Sequence, residues 1–369
     1  TKTSYTNGET VAIFGQATWK IIPTVELAGG VRYTHETKDS FFTQPYNNPG
    51  VTGIFRPSDD PDGLGVVTAN QPFNNWPPEA SLTWKPVRDV LVYAAYKTAY
   101  KSGGFSNGGI NSKFSNDPTA DLTFNPERAR GFEGGIKTTL MDRQLRFNVG
   151  AYRYDYKDLQ VDFFNSPIFA FQTLTADART QGLEVEFEFA PNAVEGLNLH
   201  GSGESQAEGC NLTLDAVTGV YRPLTADEIA DGVNGSRQSL NGKSLSVAPR
   251  WTGNFGVGYD TPMGNGLRVG VNVDARFSGS YLASAFGNPN SRQSNYTTID
   301  AGLRVGAEDG NWEVALLGKN LTNKFYVSGV VDGPSTGGTN GTAAGSVHAD
   351  QLGFGNVPRT VMLQLSKSF

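Results

Sequence analysis

The sequence predicts an all-β fold, a transmembrane antiparallel β-barrel, on three observations. Apolar and polar residues alternate with a period of two in many segments, which indicates strands with one apolar and one polar face. In Arg130–Phe164 two such segments flank the turn Met141-Asp142-Arg143, and each is longer than the roughly five or six residues of an ordinary strand. Short and long connections alternate along the chain, as periplasmic turns and extracellular loops do in outer-membrane barrels.

The composition favours sheet over helix and excludes several classes of protein. The 369 residues include 45 Gly, 22 Phe and 14 Tyr but only 3 Met, and aromatic residues favour strands. The mean hydropathy is −0.36, and no apolar run approaches the roughly 18 residues of a membrane helix. The net charge of −6 argues against nucleic acid as a partner. The single Cys210 excludes an internal disulfide.

The first predicted strands form a hairpin around Pro23-Thr24. Thr10–Ile22 carries apolar residues at alternate positions, and Val25–Phe42 returns with apolar residues opposite charged ones. A loop rich in Pro, Asn, Asp and Gly is predicted from Thr43 to Asn75. A second hairpin, Trp76–Trp84 and Val90–Phe105, follows this loop.

The central hairpin has one apolar and one charged face. Phe132, Ile136 and Leu140 share one face, and Glu133 and Lys137 share the other. After a predicted loop from Asn165 to Ala178, the strand Gln181–Ala190 carries a carboxylate at every second position, at Glu184, Glu186 and Glu188. Three carboxylates cannot lie unpaired in a small dry core, so we expect a wide, wet lumen in which arginines of neighbouring strands pair with them.

The C-terminal part continues the same alternation. The remaining predicted strands are Leu197–Ala207, Trp251–Tyr259, Leu267–Phe277, Tyr296–Val305, Trp312–Val327 and Phe354–Phe369. One helical turn is predicted at Thr225–Ala230, inside a long loop. The aromatic residues predicted to lie in the interfacial girdle of the membrane are Tyr152, Tyr154, Trp251 and Trp312.

The predicted strand count is about 13. Bacterial single-chain barrels have an even number of strands and close without a free edge. Either one strand is miscounted, or residues 1–369 form only part of a barrel. With the C-terminus in the periplasm, the first strand runs inward and Thr1 lies in an outer loop. We expect the rest of the barrel in an N-terminal portion, as a separate chain or as another part of the same chain.

Seven segments, in order, resemble the C-terminal part of the β-barrel of TonB-dependent outer-membrane receptors. They are ETVAIFGQATWKI with VELAGGVRYTHETKD from Glu9, PEASLTWKPVRDVLVYAAYKTAYKSGGF from Pro78, NPERARGFEGGIKTTLMDRQLRFNVGAYRYDYKDLQV from Asn125, QGLEVEFEF from Gln181, GKSLSVAPRWT from Gly242, GKNLTNKFY from Gly318 and the PRT…F ending at Phe369. Each segment alone is a weak match, and the common order makes the resemblance specific.

The resemblance implies a barrel of roughly 22 strands closed by an N-terminal plug domain, with about 13 strands in this chain and neither plug nor TonB box. It implies active import of a scarce solute, most often a ferric siderophore, with cobalamin, haem or oligosaccharide as other cargoes. Implied partners are a TonB–ExbB–ExbD-type energising complex, the plug-bearing portion, the lipid bilayer and lipopolysaccharide. It implies no enzyme activity and no cofactor.

Several loop residues could contact an aromatic or anionic ligand through aromatic or cationic side chains. The candidate substrate-binding residues are Tyr46, Phe55, Arg56, Tyr100, Lys101, Phe105, Tyr221, Arg222 and Arg292. The same side-chain types suit lipopolysaccharide phosphates. We predict no catalytic and no metal-binding residues.

Sharper interpretations of single motifs are less favoured. Gly104–Gly108 matches the nucleophile elbow G-x-S-x-G, but it enters a Gly/Asn loop rather than a helix. His348 is the one candidate for a haem ligand, and the carboxylates of Ser58–Gly63 resemble a Ca²⁺ loop without its distal Glu. A passive porin and an outer-membrane enzyme are the alternative functions, although no Ser/His or Asp/His cluster is evident.

Overall fold

The computed structural model describes residues 3–44, 66–108, 119, 122–165, 170–206, 244–284, 288–333 and 350–368. The regular elements whose bounds lie in this part of the chain are strands and a 3₁₀ turn at Pro289–Ser291, and Thr119 and Leu122 are helical. The strands are β1 Thr3–Ile22, β2 Val25–Thr43, β3 Val66–Asn75, β4 Pro78–Val87, β5 Val90–Lys101, β6 Gly104–Phe105, β7 Thr123–Phe124, β8 Glu127–Leu140, β9 Leu145–Asn165, β10 Ala170–Phe189, β11 Leu197–Gln206, β12 Trp251–Pro262, β13 Leu267–Ser278, β14 Tyr281–Leu282, β15 Arg292–Gln293, β16 Tyr296–Ala307, β17 Trp312–Lys319, β18 Val327–Asp332, β19 Gln351–Gly355 and β20 Thr360–Lys367.

One antiparallel sheet dominates the molecule. Its order is β1-β2-β4-β5-β8-β9-β10-β11-β12-β13-β16-β17-β20, and β3 also pairs with β2. Strands β3 and β4 are two halves of one strand, because Thr34 pairs with Asn75 and Val31 with Pro78 in an unchanged register. The described part of the sheet therefore contains 13 consecutive strands, and the predicted all-β antiparallel fold is confirmed. Strands β1 and β20 form its two edges.

Short turns lie at one end of the sheet and long connections at the other. The turns follow Ile22, Val87, Leu140, Phe189, Pro262 and Ala307. In the turn between β8 and β9, Met141, Asp142 and Arg143 all have positive φ, at 54°, 51° and 71°. The longer connections leave the opposite end, where the small hairpins β6–β7, β14–β15 and β18–β19 lie. The predicted alternation of short and long connections is confirmed, except that only four residues join β9 to β10.

The register gives the sheet one apolar and one polar face. Val92, Ile136, Val149 and Val185 are successive cross-strand partners on the apolar face, and Val257, Val273 and Ala301 continue it further along the sheet. The intervening positions carry most of the charges, as on β13, where Arg268, Asp274 and Arg276 alternate with valines and an alanine. We call these the outer face and the inner face. No helix in the described ranges is long and apolar enough to cross a membrane.

Several predicted boundaries are wrong, mostly because strands extend further from the turn end than predicted. Strand β1 begins at Thr3, and β3 occupies part of the loop predicted from Thr43 to Asn75. Strands β9 and β10 pair as far as Asn165 and Ala170, in place of most of the loop predicted up to Ala178. In contrast, β17 ends at Lys319 because Asn320 and Asn323 have positive φ, and the last strand begins at Thr360.

Candidate functional site

The inner face of β5, β8 and β9 carries a bonded group of charges and phenols. The Nζ of Lys97 lies 2.5 Å from Oε1 of Glu133, and the Tyr154 hydroxyl donates to Oε2 of the same carboxylate at 2.7 Å. On the next strands the Tyr152 hydroxyl donates to Oε1 of Glu204 at 2.5 Å. The inner wall is thus held by polar bonds between strands, in addition to the backbone ladder.

Tyr152 and Tyr154 were predicted as girdle residues, and the structure corrects this. Both side chains bond to inner-face carboxylates instead of facing the membrane. Trp251 and Trp312, in contrast, pair with outer-face positions, opposite Ser205 and Lys367. Along β9, Tyr152 and Tyr154 occupy the alternate positions to Phe147 and Val149. Because Phe147 and Val149 lie on the apolar outer face, the tyrosines lie on the polar inner face.

The three carboxylates of β10 lie on the inner face. An Arg146 guanidinium nitrogen lies 2.9 Å from Oε2 of Glu188, and the Asn148 amide donates to Glu186 at 3.1 Å. The expected pairing with arginines therefore holds at Glu188, whereas Glu186 is bonded by an amide. Further along this face Nε2 of His200 lies 3.1 Å from Oδ1 of Asp274.

A cluster of three tyrosines lies above this wall, at the end with long connections. The rings of Tyr296 and Tyr326 are stacked with centroids 4.2 Å apart and planes within 5°. The nearly buried Tyr281 donates its hydroxyl to the Val327 carbonyl at 2.6 Å. Burial raises the pKa of Tyr281, and the neighbouring Tyr296 and Tyr326 raise it further, so the phenol stays protonated and remains a donor.

The tyrosine cluster and the polar wall border one concave region of 860 Å³. Its lining includes Tyr281, Tyr296 and Tyr326 at one end and Lys137, Asn148 and Glu186 at the other, with Arg276 between them. Aromatic rings combined with a small number of polar and charged groups are typical of ligand sites. The described lining of the cavity provides aromatic stacking, hydrogen bonding and charge.

The predicted candidate residues do not form one site in the described structure. Tyr46, Phe55, Arg56, Tyr221 and Arg222 lie outside the described residues, as do His348, Thr225–Ala230 and Ser58–Gly63. Tyr100 and Lys101 end β5, and Arg292 is exposed on β15. The hairpin β14–β15, which carries Arg292, follows β13 in the chain, and five strands of the main sheet lie between β5 and β13. Their contact with a ligand remains a prediction.

Phe105 is held in a small apolar cluster next to β2. It is 7% exposed and packs with Phe42, Val67 and Leu122. The hydroxyl of Ser106, in the elbow-like segment, lies 3.3 Å from Oγ1 of Thr173. In the described part of the chain no group of three or more His, Cys, Asp or Glu residues could hold a metal ion.

The sequence-based prediction missed the tyrosine cluster. Its members belong to β14, the start of β16 and the segment before β18, and nothing in their spacing shows that they meet. One indication was available, because Tyr326 ends the segment GKNLTNKFY and Tyr296 begins a predicted strand.

Comparisons with known proteins agree with this architecture. Residues 1–321 match the family model described as TonB dependent receptor-like, beta-barrel. The chain is 26% identical over 201 residues to the pesticin receptor of Yersinia enterocolitica, covering 51% of this chain and 25% of that protein. It is 24% identical over 232 residues to the metal-pseudopaline receptor CntO of Pseudomonas aeruginosa, covering 57% and 30%.

Solved structures show the same fold. The ferric yersiniabactin uptake receptor FyuA of Yersinia pestis superposes with a TM-score of 0.70 at 17% identity, over 99% of this chain and 46% of that one. The siderophore receptor PiuA of Acinetobacter baumannii gives 0.67 at 16% identity, over 98% and 43%. This chain thus spans less than half the length of either receptor. The match of the family model to most of the sequence, together with the fold, shows that the chain belongs to the TonB-dependent receptor-like β-barrel family.

Proposed function

We propose that this chain is the C-terminal part of an outer-membrane receptor that imports a ferric siderophore, energised by a TonB–ExbB–ExbD-type complex. The observation that carries the proposal is the tyrosine-capped cavity on the inner face, in a chain of this family. The named relatives support the cargo class, since FyuA takes up ferric yersiniabactin and CntO is a metal-pseudopaline receptor.

The ligand site that we propose is the upper end of this cavity. The stacked Tyr296 and Tyr326 offer aromatic surface, and Arg276 adds a positive charge to the same lining. A compact anionic chelate with aromatic groups complements these side chains through stacking and charge. In this proposal further ligand contacts come from five predicted loop residues that lie outside the described residues. They are Tyr46, Phe55, Arg56, Tyr221 and Arg222.

We further propose that additional strands and a plug domain complete the barrel. The two unpaired edges, β1 and β20, and the 46% coverage of FyuA support this proposal. About nine more strands would give the roughly 22 strands implied by the family resemblance, within the range of such barrels. Intact mass under denaturing conditions tests it. One species near twice 39.6 kDa indicates a continuous receptor, and a 39.6 kDa species with a plug-bearing partner indicates a split one.

The test of function is uptake of radioactive iron by cells that depend on this receptor, with purified ferric siderophores of different chelating groups. We expect saturable uptake of at least one ferric chelate, and its loss when an uncoupler collapses the proton-motive force. Uptake that persists after uncoupling would overturn the energised mechanism.

The alternative functions give different results in two further measurements. A passive porin would conduct ions in a planar bilayer, whereas a plugged receptor should be nearly silent. An outer-membrane enzyme would show protease or phospholipase activity in a substrate screen. We expect neither conductance nor hydrolysis from the complete receptor.

A further inference from the structure

The outer face of β8, β9 and β10 changes abruptly from apolar to cationic. On β8 the outward positions run from Leu140 through Ile136 to Phe132, and the next two are Arg130 and Arg128. On β9 the outward residue after Ala151 is Arg153, which pairs with Phe132. The outward cations of this patch are Arg128, Arg130, Arg153, Lys157 and Arg179.

The change occurs at the height where an outer-membrane barrel leaves the hydrocarbon layer. Ten residues separate Leu140, next to the short turn, from Arg130. At roughly 3.4 Å per residue and a strand tilt of about 40°, this spacing corresponds to about 26 Å of height. The apolar band of outer-membrane barrels is roughly 25 Å tall. The patch therefore lies at the level of the headgroups of the outer leaflet.

Carboxylates neutralise this patch only in part. Arg179 pairs with Asp155, with Nε 2.5 Å from Oδ1. The Asp177 carboxylate accepts a hydrogen bond from the backbone N–H of Asp158 at 3.1 Å. Within the described residues the other four cations, Arg128, Arg130, Arg153 and Lys157, form no salt bridge. Unpaired arginines on an exposed face complement phosphate, which they bind with paired N–H groups.

A groove on this face combines the cations with an aromatic shelf. It encloses 530 Å³ and is lined by Arg128, Arg130, Lys157 and Arg179, by Trp76 and Tyr96, and by the carboxylates of Asp155, which pairs with Arg179, and Asp177. Tyr96 packs against Phe132 with ring centroids 5.0 Å apart, and Phe132 is 67% exposed. The shelf is thus apolar on the membrane side and cationic on the solvent side.

Other strands of the outer face lack this arrangement. At the corresponding ends of β12, β13 and β16 the outward residues are Trp251, Phe277 and Thr297. The cations are therefore concentrated on three adjacent strands and do not form a ring around the described sheet. A localised patch favours a bound molecule over a general attraction to an anionic surface.

We propose that this groove binds lipopolysaccharide, with the phosphates of its lipid anchor on Arg128, Arg130 and Lys157 and its acyl chains against the shelf of Trp76, Tyr96 and Phe132. This proposal rests on the outer-membrane location in the proposed function, but not on the identity of the cargo. A phosphorylated glycolipid fits this groove because its phosphates match the cations and its acyl chains match the aromatic shelf. Both surfaces lie at the boundary between the hydrocarbon layer and the headgroups.

The test compares two triple variants of the full receptor, purified from outer membranes in mild detergent. Arg128→Gln/Arg130→Gln/Lys157→Gln removes three cations of the groove. The matched control Lys85→Gln/Arg88→Gln/Arg143→Gln removes three exposed cations near the short turns, at the opposite end of neighbouring strands. Lipid anchor released from each sample is quantified by mass spectrometry. We expect the groove variant to retain at least roughly fivefold less than the native protein, because charge-assisted contacts to phosphate are lost, and the control to retain the native amount.

A second arm identifies the phosphate source. Delipidated receptor should bind the bisphosphorylated lipid anchor at least roughly tenfold more tightly than its dephosphorylated form, and inorganic phosphate at millimolar concentration should not displace it. Equal retention by native and groove variants, or displacement by phosphate alone, overturns the proposal. Heat-modifiable migration on gels verifies folding. A native receptor absent from the outer membrane overturns the location as well, whereas correct location with unchanged lipid retention overturns the groove alone.

Discussion

Lys97 on β5 and Glu133 on β8 form an ion pair across the inner face, with 2.5 Å between Nζ and Oε1. The two residues are not direct cross-strand partners, because Lys97 pairs with Gly131 and Glu133 with Ala95. The long lysine side chain reaches diagonally along the strands to the carboxylate. A diagonal pair of this kind fixes the relative register of two strands, in addition to the backbone hydrogen bonds.

Glu133→Gln should lower the free energy of unfolding by about 1 kcal/mol, the upper range for a partly exposed ion pair. Half of the Lys97 side chain is exposed, so solvent screens the attraction. The Tyr154 hydroxyl can still donate to the amide oxygen of Gln. Urea unfolding in lipid vesicles, in a double-mutant cycle with Lys97→Met, measures the coupling. A coupling energy of zero would show that the pair does not stabilise the sheet.

Gly182 on β10 lies directly beneath the Tyr152 side chain. A Cβ at this position would come within 2.7 Å of the Tyr152 hydroxyl and 2.8 Å of the Ser205 carbonyl oxygen. Gly182→Ala should therefore cost about 1–3 kcal/mol of stability through overpacking. Gly150, on the adjacent strand, is the matched control, because its Cβ would meet nothing closer than 3.6 Å. Equal stability of the two alanine variants in urea unfolding would contradict the packing argument.

The turn between β8 and β9 requires left-handed backbone at three successive residues that are not glycine. Asp142, with φ of 51°, tolerates this conformation better than a β-branched residue does. Asp142→Val should destabilise the protein by about 1–2 kcal/mol, and Asp142→Gly should be at least as stable as the native chain. Thermal unfolding monitored by circular dichroism compares them. The turn geometry would be wrong if valine were tolerated as well as glycine.

The sequence predicts those strand segments whose outward residues are apolar, and it fails where they are polar. Leu267–Phe277 alternates cleanly, and β13 follows it closely at Leu267–Ser278. Strand β3, VVTANQPFNN, carries polar residues on both faces and was predicted as loop. Strands β3 and β4 form one continuous strand, and β3 is the part of it that lies beyond the apolar band, where alternation of polarity is not needed. The first part of β10, which begins at Ala170 and was predicted as loop up to Ala178, was missed for the same reason.

The inner-face charges could be predicted, but the tyrosine cluster could not. The alternate positions of Glu184, Glu186 and Glu188 predict a solvated face, because all three side chains lie on the same side of one strand. The cluster, in contrast, brings together three separate segments of the chain, which carry Tyr281, Tyr296 and Tyr326. These segments come into contact because of the path that two connections take outside the main sheet. Local periodicity carries no information about such long-range contacts, so sequence alone could not predict this part of the candidate site.

Asn320, immediately after β17, holds three backbone groups in place. Its amide nitrogen donates to the carbonyls of Lys324 at 2.9 Å and Val357 at 3.2 Å, and its oxygen accepts from the Lys324 N–H at 2.9 Å. Asn320→Ala should cost about 2–3 kcal/mol, because groups around this buried side chain lose their partners. Since φ is 49° here, Asn320→Gly separates the two effects. It relieves backbone strain but loses the same bonds, and native stability of the glycine variant would contradict the bonding argument.

Tyr326 should contribute directly to ligand affinity in the proposed site. Its ring stacks on Tyr296 at 4.2 Å and lines the inner cavity. Tyr326→Ala should weaken binding of the ferric chelate about tenfold, since an aromatic pair contributes roughly 0.5–1.5 kcal/mol beyond its buried area. Tyr326→Phe keeps the stack and should bind within about twofold of native affinity, because little beyond the hydroxyl is lost. Phe325, the neighbouring ring, is 71% exposed and does not line the cavity, so Phe325→Ala is the matched control. Fluorescence titration of the purified receptor measures the affinities, and equal affinities of the two alanine variants would place the ligand elsewhere.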